Sequence, residues 1–444
     1  MKLLSKDEAK SICDKVMAMS KADECRINLS GSRKGNVRYA NNSVSTAGQV
    51  EDTTLVVSVA FGKKQGSATC NQFDAKSLEA AVRRAEEIAR LAPENPEFMP
   101  AVGKQDFKAT NTFNRNSDAF NPDYRADVAF ASIEAAKKAG LQAAGFFNDS
   151  VGFDCIANSN GVFGFQELAG LNFTVTTRTN DGKGSGWVSR AAYDPKAFDP
   201  RAASDIAIEK ALRSVDAKAL EPGRYTVVME PAATNDLLNF MFNAFDARSA
   251  DEGRSFLSKK GGANRLGDKL FDEQVNVWTD PWDPNAPVLP WDQGSMQARA
   301  RRDLIKGGVI TSLDYNRFWA QKQNKAATPP AGNIIMAGGS RSTEELIAST
   351  KKGILVTRTW YIRMVDPQSV ALTGLTRDGT FYIENGKIKH PIKNFRFNDS
   401  PVSMLNNIDE LGRPVLIGDT DARKLMIPAM KVRDFNFTSL SDAV

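Results

Sequence analysis

Phe381-Tyr382-Ile383-Glu384-Asn385-Gly386-Lys387-Ile388-Lys389 reads as two short β-strands closed by an Asn-Gly turn, because both turn residues tolerate the left-handed backbone that a two-residue hairpin needs. Outward from this hairpin, positions 275–278, 333–336, 353–362, 372–383 and 426–432 carry the β-branched and aromatic runs of strands. A further strand over 225–229 follows Glu221-Pro222-Gly223, which punctuates a boundary. The back half is therefore expected to be mainly β, with a twisted or barrel-like sheet. One helix interrupts it over 235–246, where Leu237, Leu238, Met241, Phe242 and Phe245 form a broad apolar stripe. The stretch 280–287 is too rich in proline and aspartate for a central strand, and Trp278, Trp282 and Trp291 around it would anchor this loop or line a groove.

The front half has a different pattern. A Ser5-x-x-Glu8 capping box opens a helix that places Ala9, Ile12, Cys13, Val16 and Met17 on one face. Strand-like runs at 25–29, 37–40 and 53–61 follow, then a second helix with Leu78, Ala81, Val82, Ala85, Ile88 and Ala89 inward, stopped by Pro93. The same order recurs: a helix over 124–138, strand runs at 141–147, 153–157, 162–168 and 171–177, and a helix near 202–215. Asn41-Asn42 and Asn158-Ser159-Asn160-Gly161 fall at chain reversals in the two copies. The fold class expected is α+β: residues 1–220 form a helix-and-antiparallel-sheet domain with an internal duplication, and 221–444 a mainly β domain.

Composition narrows the function. The chain has 444 residues with a quarter of them charged, which points to folded domains rather than disorder. The N-terminus becomes charged before an apolar signal core could form, and no apolar run reaches the length of a membrane span, so a cytoplasmic protein without membrane contact is expected. Cys13, Cys25, Cys70 and Cys155 are too widely spaced for a metal knuckle or a disulfide framework, and Cys13 and Cys70 read as small core residues. A net charge of +5 is modest, so the basic cluster Arg299, Arg301, Arg302 and Lys306 reads as a solvated helix face rather than a nucleic-acid surface.

Several longer strings carry a resemblance. Val37-Arg38-Tyr39-Ala40-Asn41-Asn42, Val228-Met229-Glu230-Pro231-Ala232-Ala233, the run 376–388 and Pro391-Ile392-Lys393-Asn394-Phe395-Arg396-Phe397-Asn398 resemble the TldD/PmbA (TldD/TldE) family, historically named for modulation of DNA gyrase. The resemblance extends over nearly the whole chain. It implies a zinc-peptidase relationship in which catalytic members carry a His-Glu-x-x-x-His helix and a distant cysteine. Aligned on Pro231, the corresponding positions here are Asn239, Phe240 and Ala244, and none of the four cysteines lies in the C-terminal half. The only histidine, His390, precedes Pro391 without a supporting motif and reads as a strand-end residue.

Alanine and phenylalanine can neither ligate zinc nor handle the proton of its water. The resemblance thus implies a PmbA/TldE-like subunit with no catalytic residue, no metal and no cofactor. Its expected partners are a second copy or a TldD-like zinc subunit, with a peptide as ligand. Two other classes stay open: a divergent metallopeptidase using His390 or carboxylates among Glu230, Asp236, Asp246, Asp251 and Glu252, and a nucleic-acid-associated modulator. Candidates for peptide or anion contact are Ser340, which precedes a capped helix, and Arg358, Arg363 and Arg377, whose guanidinium forks match carboxylates.

Overall fold

The Ser5 box forms as the sequence dictates: Ser5 Oγ accepts from Glu8 N at 3.3 Å and the Glu8 carboxylate takes Ser5 N at 2.7 Å. The structure is a computed structural model and describes residues 3–417 and 424–441. Met1 and Lys2, which open the charged N-terminal stretch, lie outside them. Helix α1 (Lys6–Met19) leads into β1 (Glu24–Ala40), β2 (Ser43–Phe61), β3 (Lys64–Cys70) and α2 (Ala75–Leu91). The order then repeats as α3 (Pro122–Lys138), β4 (Gln142–Asn158), β5 (Phe163–Arg178), β6 (Ser185–Ala192) and α4 (Pro200–Arg213). The six strands form one antiparallel sheet in the order β3-β2-β1-β4-β5-β6.

The duplication is visible in the register. Glu24↔Ala60 of the first hairpin becomes Gln142↔Arg178 of the second, each residue 118 further on. Arg33 pairs with Val151, its own counterpart at that offset, so a pseudo-two-fold axis passes between β1 and β4. Each copy also has a glycine where its second helix crosses the edge strand. A Cβ on Gly66 would lie 2.3 Å from Ala85 O of α2, and one on Gly186 2.1 Å from Ala207 O of α4.

The strands are longer than the sequence pattern suggests. The polar, glycine-containing stretches 30–36 and 148–152 read as breaks, yet β1 and β4 run through them because both are paired along both edges. Backbone pairing thus overrides weak side-chain preference. The four helices cover one sheet face with two apolar clusters, around Leu78, Val82 and Leu55 and around Phe147, Phe173 and Ile133. Cys13 and Cys155 are buried there with sulfurs 3.9 Å apart, whereas Cys70 is half-buried at the sheet edge rather than in the core. Residues 151–158 of β4 are buried on both faces, because the second unit packs on the other side.

That second unit starts with β7 (Gly223–Met229), α5 (Pro231–Phe242) and α6 (Ala247–Asp251). Short strands β8 (Ser258–Lys259), β9 (Ala263–Asn264), β10 (Val277–Thr279), β11 (Arg302–Lys306) and β12 (Val309–Ile310) alternate with long irregular connections. Next come α7 (Arg317–Lys322), β13 (Asn333–Met336), α8 (Thr343–Ala348), β14 (Lys352–Val356), β15 (Thr359–Asp366), β16 (Ala371–Thr376) and β17 (Thr380–Glu384). The chain continues through β18 (Lys387–Pro391), β19 (Phe395–Asp399), α9 (Pro401–Asn406), β20 (Ile408–Ile417) and β21 (Lys424–Leu440). Thirteen of these strands build one open sheet, with path β12-β11-β10-β13-β21-β7-β14-β17-β18 and with β20 and the β15-β16-β19 run branching from β21.

The Asn385-Gly386 turn forms with both residues at positive φ, closing β17 on β18. Two runs that read as single strands are each split in two. Residues 353–362 break between β14 and β15, and 372–383 break at Asp378-Gly379, where φ is +55° and +121°. The 299–306 cluster lies on an irregular segment and β11, not on a helix, since the register with β10 extends it. Among the described residues no helix is long and apolar enough to cross a membrane.

Candidate functional site

Helix α5 begins where the two units meet. Its N-cap, Glu230, makes no side-chain cap bond; its carboxylate instead takes Lys210 Nζ of α4 at 2.7 Å, and Lys210 also donates to Trp187 O of β6 at 3.3 Å. Arg190 of β6 lies in the same field. Burial depresses its pKa, with the Glu230 charge acting in the opposite direction. The start of α5 is thereby tied to the edge of the first sheet.

Along α5, Ala233, Leu237, Leu238, Met241 and Phe242 are buried in the core of the second unit. The helix runs from Pro231 to Phe242, earlier at both ends than the apolar stripe indicated. Asn243 is its C-cap, so Ala244 falls beyond the helix. Asn239 and Phe240 sit on the last turn, half-buried, and Phe240 and Ala244 pack against the apolar core. An amide, a phenyl ring and a methyl do not make a zinc site, and no step is derived through a metal there. Among the described residues no group of three His, Cys, Asp or Glu side chains could hold an ion.

The nearby carboxylates have other tasks. Asp246 caps α6 through Ser249 N, Asp251 accepts from Asn264 and Trp319 Nε1, and Glu252 pairs with Arg248 and Arg254. His390 lies in β18, stacked on Tyr382 with ring centroids 5.4 Å apart.

Arg358 and Arg377 converge on Asp378. Arg358 Nη1 meets its carboxylate at 2.6 Å while stacking on Trp187, and Arg377 Nε lies 3.9 Å away while stacking on Trp360. Ser185 Oγ of β6 donates to the other Asp378 oxygen at 2.5 Å. This buried carboxylate therefore clasps the first sheet to the second unit, and two of the three candidate arginines are used in holding it. Arg363 stacks on Tyr361 of β15, away from the clasp. Ser340 is exposed, and the cap of α8 is Ser342, two residues on. Asp378, Ser185 and Lys210 were not singled out from sequence. The Asp378-Gly379 dipeptide was the available signal, because Asp-Gly marks a turn within an apparent strand.

Two cavities open along this seam. One of about 470 Å³ is lined by Ser185, Ser214, Asp378, Lys393 and Asn394. The other, about 380 Å³, lies between the strand residues Leu168, Asn172 and Ala191 and the wall Pro287, Val288 and Leu289. In the second, Asn172 Oδ1 is buried without a hydrogen-bond partner among the described residues.

The tryptophan-rich loop closes the seam. Trp291 is fully buried against Phe107, and its Nε1 donates to Asp154 Oδ1 of β4 at 3.1 Å; Gln293 Nε2 donates to the other oxygen. Trp282 Nε1 donates to Lys108 O. Burial is the main cause of a raised Asp154 pKa. A carboxyl whose folded pKa is raised contributes stability below its unfolded value, and that contribution is lost as pH rises through the folded value. Asp154→Asn, neutral at all pH, is therefore expected to flatten the fall in stability as pH rises above the ordinary carboxylate range, as read by denaturant melts. A variant with an unchanged profile would exclude Asp154 as the titrating group. The basic cluster is split: Arg302 and Arg299 are half-buried and pair with Asp314 at 2.6 Å and Asp292 at 3.4 Å, whereas Arg301, paired with Asp303 at 3.3 Å, and Lys306 are exposed.

Comparison with known proteins agrees with this geometry. Residues 25–89 match the PmbA/TldA metallopeptidase domain 1 and residues 222–439 the PmbA/TldA metallopeptidase C-terminal domain. The chain is 22% identical over 437 residues to Metalloprotease PmbA of Escherichia coli O157:H7, covering 94% of this chain and 93% of that protein. In fold it is similar to TldE from Thermococcus kodakarensis, with a TM-score of 0.87 at 16% identity over 96% of this chain and 99% of the other. It is also similar in fold to a Thermotoga maritima protein named as a candidate modulator of a DNA gyrase, with a TM-score of 0.85 at 18% identity over 97% of this chain and 100% of the other. With matches in both units and along almost the full length, the chain belongs to the TldD/PmbA family.

Proposed function

We propose that this chain is a non-catalytic, TldE/PmbA-like subunit that holds extended peptide and pairs with a zinc-bearing TldD-like subunit in the cytoplasm. The observation that carries the reading is the set Asn239, Phe240 and Ala244, whose side chains supply neither a metal ligand set nor an acid-base group. The seam cavity of about 380 Å³, walled on one side by Pro287, Val288 and Leu289, supports a peptide as the ligand, since it has room for the side chains of an extended segment. The relative from Escherichia coli is named a metalloprotease, which supports peptides as the chemical setting. The four unpaired cysteines support a reducing compartment. The internally paired arginines give no support to a nucleic-acid surface.

The test is metal stoichiometry on native-purified protein, combined with a peptide-cleavage assay run with and without a zinc-loaded TldD-like subunit. The expected result is no stoichiometric metal, no cleavage by the chain alone, and a complex with peptide cleavage when the second subunit is added. About one tightly held transition metal per chain, with chelator-sensitive cleavage, would overturn it.

A further inference from the structure

Three of the four cysteines share one layer. Cys13 of α1, Cys155 of β4 and Cys25 of β1 lie between the first helix and the sheet, with 0, 0 and 2% exposure. The sulfurs of Cys13 and Cys155 touch at 3.9 Å, and neither thiol makes another hydrogen bond among the described residues. The two residues are 142 positions apart and belong to different copies of the duplication.

The duplication shows that packing does not require sulfur at these places. Aligned on their N-caps, Ser5 and Asn121, the buried Ala9, Ile12, Cys13 and Val16 of α1 correspond to Arg125, Val128, Ala129 and Ser132 of α3. In the sheet, the offset that carries Glu24 to Gln142 relates Val37 to Cys155 and Cys25 to Ala143. Ala129, Val37 and Ala143 are all buried in the apolar cluster under α3. Alanine and valine thus fill in one copy the places that Cys13 and Cys155 fill in the other, and only the α1 contact carries paired thiols. In the closed fold this pair is protected: contact with Cys13, then burial, raises the Cys155 pKa, and the thiolate is the nucleophile. The pair becomes reactive when α1 lifts, and the end of the helix is held by Arg83 Nη2 on Met19 O at 2.8 Å and by Lys21 N on Glu86 at 2.6 Å.

We propose that Cys13 and Cys155 form a redox latch: hydrogen peroxide that meets the lifted helix joins them in a disulfide that fixes α1 to β4. The thiolate of one cysteine attacks the peroxide O–O bond, giving a sulfenic acid and, with a proton, one water. The sulfur of the other cysteine displaces that hydroxyl, forming the S–S bond and a second water. Two electrons pass from the sulfurs to the peroxide oxygens, and both thiol protons end in the waters. From 3.9 Å, a disulfide bond requires each sulfur to move by about 1 Å, which side-chain rotation supplies. The bond closes a long loop in the unfolded chain, so the oxidised form resists unfolding more than the reduced form. In a reducing compartment the pair rests as thiols and the latch stays open. This device is independent of whether the chain holds peptide or pairs with a zinc subunit.

The experiment uses the full chain with Cys70→Ser, which removes the half-buried thiol at the sheet edge. The protein is treated with hydrogen peroxide in buffer and in sub-denaturing urea, alkylated in denaturant, digested without reductant and mapped by mass spectrometry. The expected product is a linked Cys13–Cys155 peptide lighter by two hydrogens, formed at least tenfold faster in urea and reversed by dithiothreitol. The oxidised chain should melt about 2 °C or more above the reduced one. Adding Cys13→Ala and Cys155→Val, the residues of the other copy, should leave native circular dichroism, no linked peptide and no change of melting temperature on peroxide treatment. Recovery of all three thiols, after an exposure that oxidises the denatured chain, would overturn the latch. So would Cys25 in the linked peptide, oxygen addition without a link, or a linked chain that melts with the reduced one. A rate of linking unchanged by urea would overturn the lifting of α1 as the step that admits the peroxide.

Discussion

Gly35→Val is expected to cost the protein about 3–5 kcal/mol of stability, because it breaks a buried ion pair rather than merely crowding a strand. Gly35 lies in β1 with Gln49 of β2 opposite on one side and Asp149 of β4 on the other. The Arg125 side chain from α3 lies across this row. Its Nε and Nη2 meet the two Asp149 oxygens at 2.5 and 2.9 Å, and Nη1 reaches Gln49 Oε1 at 3.1 Å. A Cβ on Gly35 would be 1.8 Å from the guanidinium carbon, so any side chain expels the arginine. Asp149, whose side chain is 1% exposed, would then hold an unpaired charge away from water. Urea melts measure the loss. Gly103→Ala, where a Cβ meets nothing within 4 Å, should stay within about 0.5 kcal/mol of wild type. A Gly35→Val melt as stable as this control would show that the pair is not held by the missing side chain.

Trp291→Ala carries an expected loss of similar size, about 3–5 kcal/mol, for a different reason. The indole fills the space between Phe107, Ile156, Val162 and Met296, where the two units meet. Truncation leaves a cavity and also removes a hydrogen-bond donor from the buried Asp154 carboxyl. The segments 101–112 and 280–300 should become proteolysed faster than in wild type, because the loop loses its anchor. Trp282→Ala is the comparison: its indole is partly exposed and gives one bond to Lys108 O, so a loss of about 1 kcal/mol is expected. Equal losses in the two variants would remove Trp291 from its place as the anchor of the seam.

Much of the fold was legible where local chemistry acts alone. The Ser5 capping box, the Asn385-Gly386 turn and the apolar faces of α1 and α2 follow from residues a few positions apart. The duplication was legible from the order of elements. The length of β1 and β4 was not, because residues such as Gly31, Ser32 and Gly152 are held extended by neighbouring strands more than one hundred residues away in the chain. The site divided in the same way. The substitutions at 239, 240 and 244 can be read directly from the letters. The Asp378 clasp could not, because Ser185 reaches it only after the two sheets have docked. Trp291 was noted for its neighbours in sequence, but its role depends on Asp154 from the other unit.

Strand β21 has a consequence for how the protein is made. It pairs with β13, β20, β7 and β19, so the second sheet has no spine until it is present. Met229 of β7 must wait for Met430. During synthesis the duplicated first unit can close its sheet while β7 is still without this partner, and the second unit's apolar strands remain exposed until late in translation. The second half is therefore the part whose sheet is completed only at the end of translation, and a chain cut before residue 424 would hold one complete sheet and a second one without the strand that joins its parts.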